Sequence, residues 1–154
     1  MDMKIINLAK INLISILFLM PAYSYAQTQL SIGQLLTKKE HAQLKSSKIK
    51  LNQEIYDIIP SNIPDQIYLI NDQGAVGIGE TVVIITEVSQ NKFKTQASHI
   101  LSLSDSIEYY DHMKIVHIKF KNFSQTLNAY NQLLKIFPED NVSIPIQFSQ
   151  PKLR

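Results

Sequence analysis

The chain has 154 residues, 45% hydrophobic and 18% charged, with a formal net charge of +2 and no cysteine. Length and balance fit one globular domain with a short appendage and exclude a disordered chain. Without cysteine there is no disulfide framework, thiolate zinc site, iron–sulfur cluster or cysteine nucleophile. So small a net charge is too weak to predict nucleic-acid binding.

Residues 1–10 carry Lys4 and Lys10 against one acid, Asp2. Residues 11–20 (INLISILFLM) are apolar apart from Asn12 and Ser15, and Pro21 follows. Ser24 and Ala26 are small residues at the −3 and −1 positions of a cut after Ala26. A basic, then apolar, then small-residue order is that of a secretory signal peptide, expected over 1–26. The apolar run is shorter than the roughly 20 residues that span a bilayer, so no stable membrane anchor is expected after cleavage. The expected location is periplasmic or secreted.

Residues 27–36 form a lead-in, with Ile32, Leu35 and Leu36 apolar. Thr37-Lys-Lys-Glu40 is a capping box, which predicts a helix over 38–48. Residues 49–65 hold Pro60 and Pro64 among scattered apolar side chains. They read as a connector that closes an N-terminal part, 27–65, before an α+β domain over 66–148 and a flexible tail, 149–154. QIYLI (66–70) predicts a strand and Asn71–Gly74 a turn. Residues 75–80 (AVGIGE) read as a second hairpin arm or a bulge. TVVIITEV (81–88) is nearly all β-branched and apolar on both faces, which predicts a central strand covered on both sides.

Residues 94–103 predict a helix with Ala97, Ile100 and Leu101 on one face. SIEYY (106–110) and the strand over 114–120 flank a turn at Asp111-His112, with Val116, Ile118 and Phe120 sharing a face. Asn122 or Ser124 caps a helix over 125–137, whose stripe is Leu127, Tyr130, Leu133, Leu134 and Phe137, and Pro138 stops it. VSIPIQ (142–147) predicts a last strand, placed at an edge by Pro145. From 80 to 148 the order is strand, helix, strand, strand, helix, strand. The expected class is α+β: a ferredoxin-like split βαβ antiparallel sheet with two helices on one face. A short helical N-terminal part and a β-hairpin precede it.

Gly74, Gly77 and Gly79 do not follow the dinucleotide-binding spacing and no helix comes after them, so they read as a turn or bulge. His112 and His117, five apart, point to opposite faces of one strand, and His99 lies on a separate helix. Asp105, Glu108 and Asp111 read as solvated acids rather than a catalytic pair. No serine sits beside a base in a nucleophile setting. The expectation is therefore no enzyme, no cofactor and no metal. The alternative is a periplasmic small-ligand or metal-binding protein using the His99/His112/His117 region. The only arginine is Arg154 and an exported location is expected, so no nucleic-acid partner is expected.

Two resemblances bear on partners. The stretch IVHIKFKNFSQTLNAYNQLLKIFPEDNVSIPI (115–146) resembles the second half of the propeptide domain of subtilisin-like proteases, over residues 80–154. That resemblance implies a ferredoxin-like chaperone or inhibitor whose tail lies in a protease cleft. LSIGQLLTKKEHAQL (30–44) is similar to the start of small exported proteins linked to pilus or type II secretion machinery. Both imply an exported module that binds another exported protein, a protease or a secretion or pilus component. The last strand and tail supply the contact candidates: Val142, Ile144, Ile146, Phe148, Lys152, Leu153 and Arg154.

Overall fold

The computed structural model describes residues 30–61 and 64–149. The expected signal segment, 1–26, and Lys152, Leu153 and Arg154 lie outside the described residues. No helix among the described residues is long and apolar enough to cross a membrane.

The capping box forms as expected. The Glu40 amide donates to the Thr37 hydroxyl (3.3 Å), and the Glu40 carboxylate accepts from the Thr37 amide (2.8 Å). The helix it opens, α1 (Lys38–Gln43), is shorter than 38–48 because Ser47 already begins a strand. SKIKL alternates with period two, and β1 (Ser47–Leu51) pairs antiparallel with β2 (Glu54–Pro60). Residues 49–65 are thus largely a hairpin rather than a connector. Its loop is two residues long, with Asn52 at φ 50° and Gln53 at φ 68°. Positive φ at both positions is the backbone of a type I′ turn, whose twist matches the flanking strands. No glycine marks it. Asn tolerates this region, whereas Gln costs strain there.

β3 (Ile67–Ile70) and β4 (Val76–Gly79) continue the meander. Their turn is the expected Asn71–Gly74, with Gly74 at φ 82° and the Asn71 side chain accepting from the Gln73 and Ala75 amides. β2 pairs with β3 across residues 65–66, so the sheet runs through the position where the sequence suggested a boundary. One further strand, β9 (Ile146–Gln147), pairs with β4 and completes a five-stranded sheet in the order β1-β2-β3-β4-β9.

The second sheet comes from β5 (Val82–Ile85), β6 (Ser106–Tyr110), β7 (Ile115–Lys119) and β8 (Val142–Ser143). Its order is β6-β7-β5-β8 and every neighbouring pair is antiparallel. Helices α2 (Gln90–Gln96) and α3 (Ser98–Leu101) lie between β5 and β6 in sequence, and α4 (Phe123–Leu133) follows β7. The class is α+β. Asn122 is the cap of α4, its side chain accepting from the Gln125 amide (2.9 Å).

Burial decides which face of the second sheet is covered. Val83, Ile85, Val116 and Ile118 are fully buried, while Val82, Ile84, Ile115 and His117 on the other face are half-buried. β5 is central, as its composition predicts, but only one face is packed to exclusion of water. Phe93, Ala97 and Ile100 from the α2–α3 region, and Ala129, Tyr130, Leu133 and Phe137 from the α4 region, belong to the same core. The Phe93 and Phe137 rings stack at 6.4 Å.

Helix α4 touches both sheets. It packs on β5, its Phe123 ring lies against Gly79 of β4, and its Tyr130 hydroxyl accepts from the Asn52 amide (3.0 Å). Gly77 and Gly79 thus sit within a strand, not in a turn or bulge. A Cβ on Gly77 would meet Ile146 and Phe148 at 2.9 Å, and one on Gly79 would collide with Phe123. A smaller cluster of Leu30, Leu36, Ile70 and Val76 joins the N-terminal segment to the first sheet, with the Tyr68 hydroxyl donating to the Leu30 carbonyl (3.0 Å).

The strand expected over 142–147 is split. β8 ends at Ser143 in the second sheet, and β9 begins at Ile146 in the first. At the crossing, the Asn52 side chain accepts from the Ile144 amide (2.9 Å) and donates to the Ile144 carbonyl (2.7 Å). Replacing Asn52 with Ala removes both bonds and leaves the Ile144 peptide groups unsatisfied. Asn52→Ala is expected to cost about 2–4 kcal/mol in urea unfolding. Gly79→Ala forces the Phe123 ring to move and should cost about 1–3 kcal/mol by the same measurement, with Ser124→Ala as a neutral surface control.

Candidate functional site

The contact residues expected from the sequence divide by burial. Val142 and Ile144 are 1% and 0% exposed, so their side chains belong to the core and offer no contact face. Ile146 and Phe148 are half-buried over Gly77. With Glu54, Tyr56 and Ile84 they border an open groove of about 510 Å³. The backbone of this segment is also occupied. Asn52 takes both polar groups of Ile144, the Pro145 carbonyl accepts from the Glu80 amide (2.9 Å), and Ile146–Gln147 pair with β4. β8 and β9 are each the outermost strand of their sheet, as Pro145 led the sequence to suggest, but these partners occupy the backbone of Ile144 and Pro145 where the chain crosses between them.

The sheet edge left open among the described residues of the second sheet is β6, five residues long and paired only with β7. The ladder sets which groups face outward. The Phe120 amide donates to the Thr81 carbonyl, so residues 116, 118 and 120 turn their peptide groups to β5, and 115, 117 and 119 turn theirs to β6. On β6, Ser106, Glu108 and Tyr110 therefore bond inward to β7, and Ile107 and Tyr109 direct N–H and C=O away from the sheet. Their side chains point the other way, toward the core, where the Tyr109 ring meets Phe93 edge-on at 6.1 Å and carries the Lys94 ammonium at 5.3 Å.

The opposite face of this edge is polar. Glu108 is the cross-strand partner of His117, which is the partner of Ile84. The Tyr110 hydroxyl donates to the Glu108 carboxylate (2.5 Å), and the Tyr110 ring meets the His117 ring at 5.1 Å. The Glu108 carboxylate beside it raises the Tyr110 phenol above its ordinary range. The composition of SIEYY showed a strand. That it is an outermost strand depends on the topology, which no local signal encodes.

The sequence-based histidine candidates are not gathered. His99 is on α3, His112 in the β6–β7 turn and His117 in β7. No group of three or more His, Asp or Glu that could hold a metal occurs among the described residues. Of the acids, Asp111 accepts from the Gln90 amide at the start of α2 (3.0 Å) and serves as a cap.

A polar cluster that the sequence did not suggest lies at α1. Asp57 accepts from the Ser46 hydroxyl (2.6 Å), lies 2.9 Å from His41 Nε2 and pairs with the Lys48 ammonium (3.2 Å). Ser46 donates to the carboxylate and not to the histidine, so no base activates the hydroxyl and the three do not form a nucleophilic triad. The cluster instead ties α1 to β1 and β2. The Ser46 bond first, then His41 and Lys48, hold the Asp57 carboxyl below its ordinary value against its burial. A lowered folded-state value contributes stability above the unfolded pKa, which is lost as pH falls through the lowered one. Acid unfolding below pH about 4 should therefore be shallower in Asp57→Asn than in the parent. An NMR titration should show the Asp57 pKa rising in Ser46→Ala.

Comparison with family models, with curated proteins and with solved structures finds no match to this chain.

Proposed function

We propose that the chain is an exported, non-enzymatic protein-binding module, an inhibitor, chaperone or envelope assembly accessory whose partner is another exported protein. It acts by accepting an extended segment of that partner as an added strand on β6. The observation that carries this is the outward-facing, unpaired backbone of Ile107 and Tyr109 on a five-residue edge. Such an edge is a template for strand addition, in which main-chain bonds supply affinity and alternate side chains supply selectivity. The other sheet margins are less open. β1 carries Lys48 and Lys50, charges of the kind that guard an edge, and β8 and β9 are each two residues long.

Export rests on the signal-like residues 1–26. A ferredoxin-like assignment for residues 82–143 is part of the same proposal. What supports it is the strand order β8-β5-β7-β6, antiparallel throughout, with helices inserted after β5 and after β7. The first sheet would then be an addition that meets α4 at Phe123 and Tyr130.

The test crosslinks the processed protein in the envelope of its own host and identifies the partner by mass spectrometry. Ile107→Pro removes one outward N–H on an edge where proline is tolerated. It should abolish the crosslink while near-UV circular dichroism stays native, and deletion of residues 150–154 should leave the crosslink intact. Hydrogen exchange on the unaltered protein checks this without substitution, since the Ile107 and Tyr109 amides should gain protection with partner bound. Loss of binding on tail deletion, with those two amides still exchanging, would overturn the β6 assignment in favour of the tail.

A further inference from the structure

Resting on the β6 reading, we infer that the segment this edge accepts is basic as well as extended, with Lys or Arg facing Glu108 and apolar residues facing Ile107 and Tyr109. Asp105, Glu108 and Asp111 are exposed and spaced three apart along the edge. None of them takes part in the ion pairs His41–Asp57, Lys48–Asp57 or Lys50–Glu139. Glu108 is also held in place: Tyr110 donates to it, and Tyr110 is braced by the His117 ring. An added strand puts one residue directly beside Glu108 on the polar face, as the end of the row Ile84, His117, Glu108. A cation there completes a cross-strand pair of opposite charge.

The two neighbours of that cation fall on the other face, beside Ile107 and Tyr109. Both are partly buried against the main core, and the end of α3 and the turn after it expose Leu101 and Leu103. Apolar side chains at those positions extend the core, so the complementary segment alternates apolar and basic residues.

The same three acids oppose a second copy of this chain. Antiparallel pairing of two β6 strands that engages both outward residues sets Ile107 against Tyr109 of the copy. In that register Glu108 faces Glu108 and Asp105 faces Asp111. Like charges directly opposite are destabilising in a sheet. The charge pattern that discourages self-association is the one that selects a cationic strand.

The probes are two blocked pentapeptides, Val-Lys-Val-Arg-Val and Val-Glu-Val-Glu-Val, titrated into the protein from residue 27 onward and followed by amide NMR and hydrogen exchange. The basic peptide should shift and protect the Ile107 and Tyr109 amides. It should bind about five- to tenfold more tightly than the acidic one and weaken with added salt. Glu108→Lys, at an exposed position, should reverse the preference without altering the fold. Equal protection by both peptides would overturn the basic-segment inference and leave the β6 edge standing. Protection by neither would overturn both. Protection that grows with protein concentration in the absence of peptide would show a second copy on the edge and likewise overturn the inference.

Discussion

One side chain holds the two sheets in register. Asn52, at the tip of the β1–β2 hairpin, bonds both peptide groups of Ile144, the residue at which the chain leaves one sheet for the other. A strand that changes sheets must pass through a residue that neither ladder can serve, and a buried peptide group without a partner is costly. The side-chain amide of asparagine presents an N–H and a C=O side by side, so it stands in for the missing strand. Its own backbone N–H is taken up by Tyr130 on α4. Hairpin, crossing segment and helix are thereby joined at one point. Lys50 to Glu139 (2.7 Å) and Gln53 to Asp140 add surface bonds around it.

The position of α4 follows from that junction. The helix buries one stripe and leaves Ser124, Gln125, Asn128 and Asn131 exposed on its other side. Phe123, Thr126, Ala129, Tyr130 and Leu133 are all buried, and the Thr126 hydroxyl is satisfied within the helix by the Asn122 carbonyl (2.9 Å). The close approach of Phe123 to β4 is permitted by Gly79, and that of Ile146 and Phe148 by Gly77. Glycine weakens a strand in isolation, and here the loss is offset by aromatic packing that any side chain would block.

The same arrangement separates the closed margins of the molecule from the open one. Sealing the Ile144 crossing consumes the C-terminal segment as an edge, and the N-terminal segment occupies the remaining length of β4 through bonds from Gly33 to Val76 (2.8 Å) and from Leu36 to Gly74 (2.9 Å). β6 is left with one flank unpaired, its apolar side chains turned into the core and its acids outward. Charge on an open edge is one of the devices by which a sheet resists edge-to-edge pairing.

Much of this was legible in local chemistry. The Thr37–Glu40 box, the Asn71–Gly74 turn, the β-branched run of β5 and the period-two alternation of β7 each depend on neighbours within a few residues, and each forms where the sequence places it; α4 forms too, but over Phe123–Leu133, so it ends before Leu134 and Phe137 of the expected stripe. The order of elements from β5 to β8, and with it the α+β class, followed from those local signals. Three features did not. The β1–β2 hairpin turns on Asn-Gln without glycine, and the stretch runs into Pro60 and Pro64, so its strands gave no local signal. The break at Ile144–Pro145 and the burial of Val142 and Ile144 depend on an asparagine 92 residues away in the chain. The openness of β6 depends on which strands end up beside it. Side-chain periodicity encodes which face of an element is buried. Which edge is covered is decided by partners distant in sequence, because peptide groups are alike in every residue and carry no record of what they will pair with.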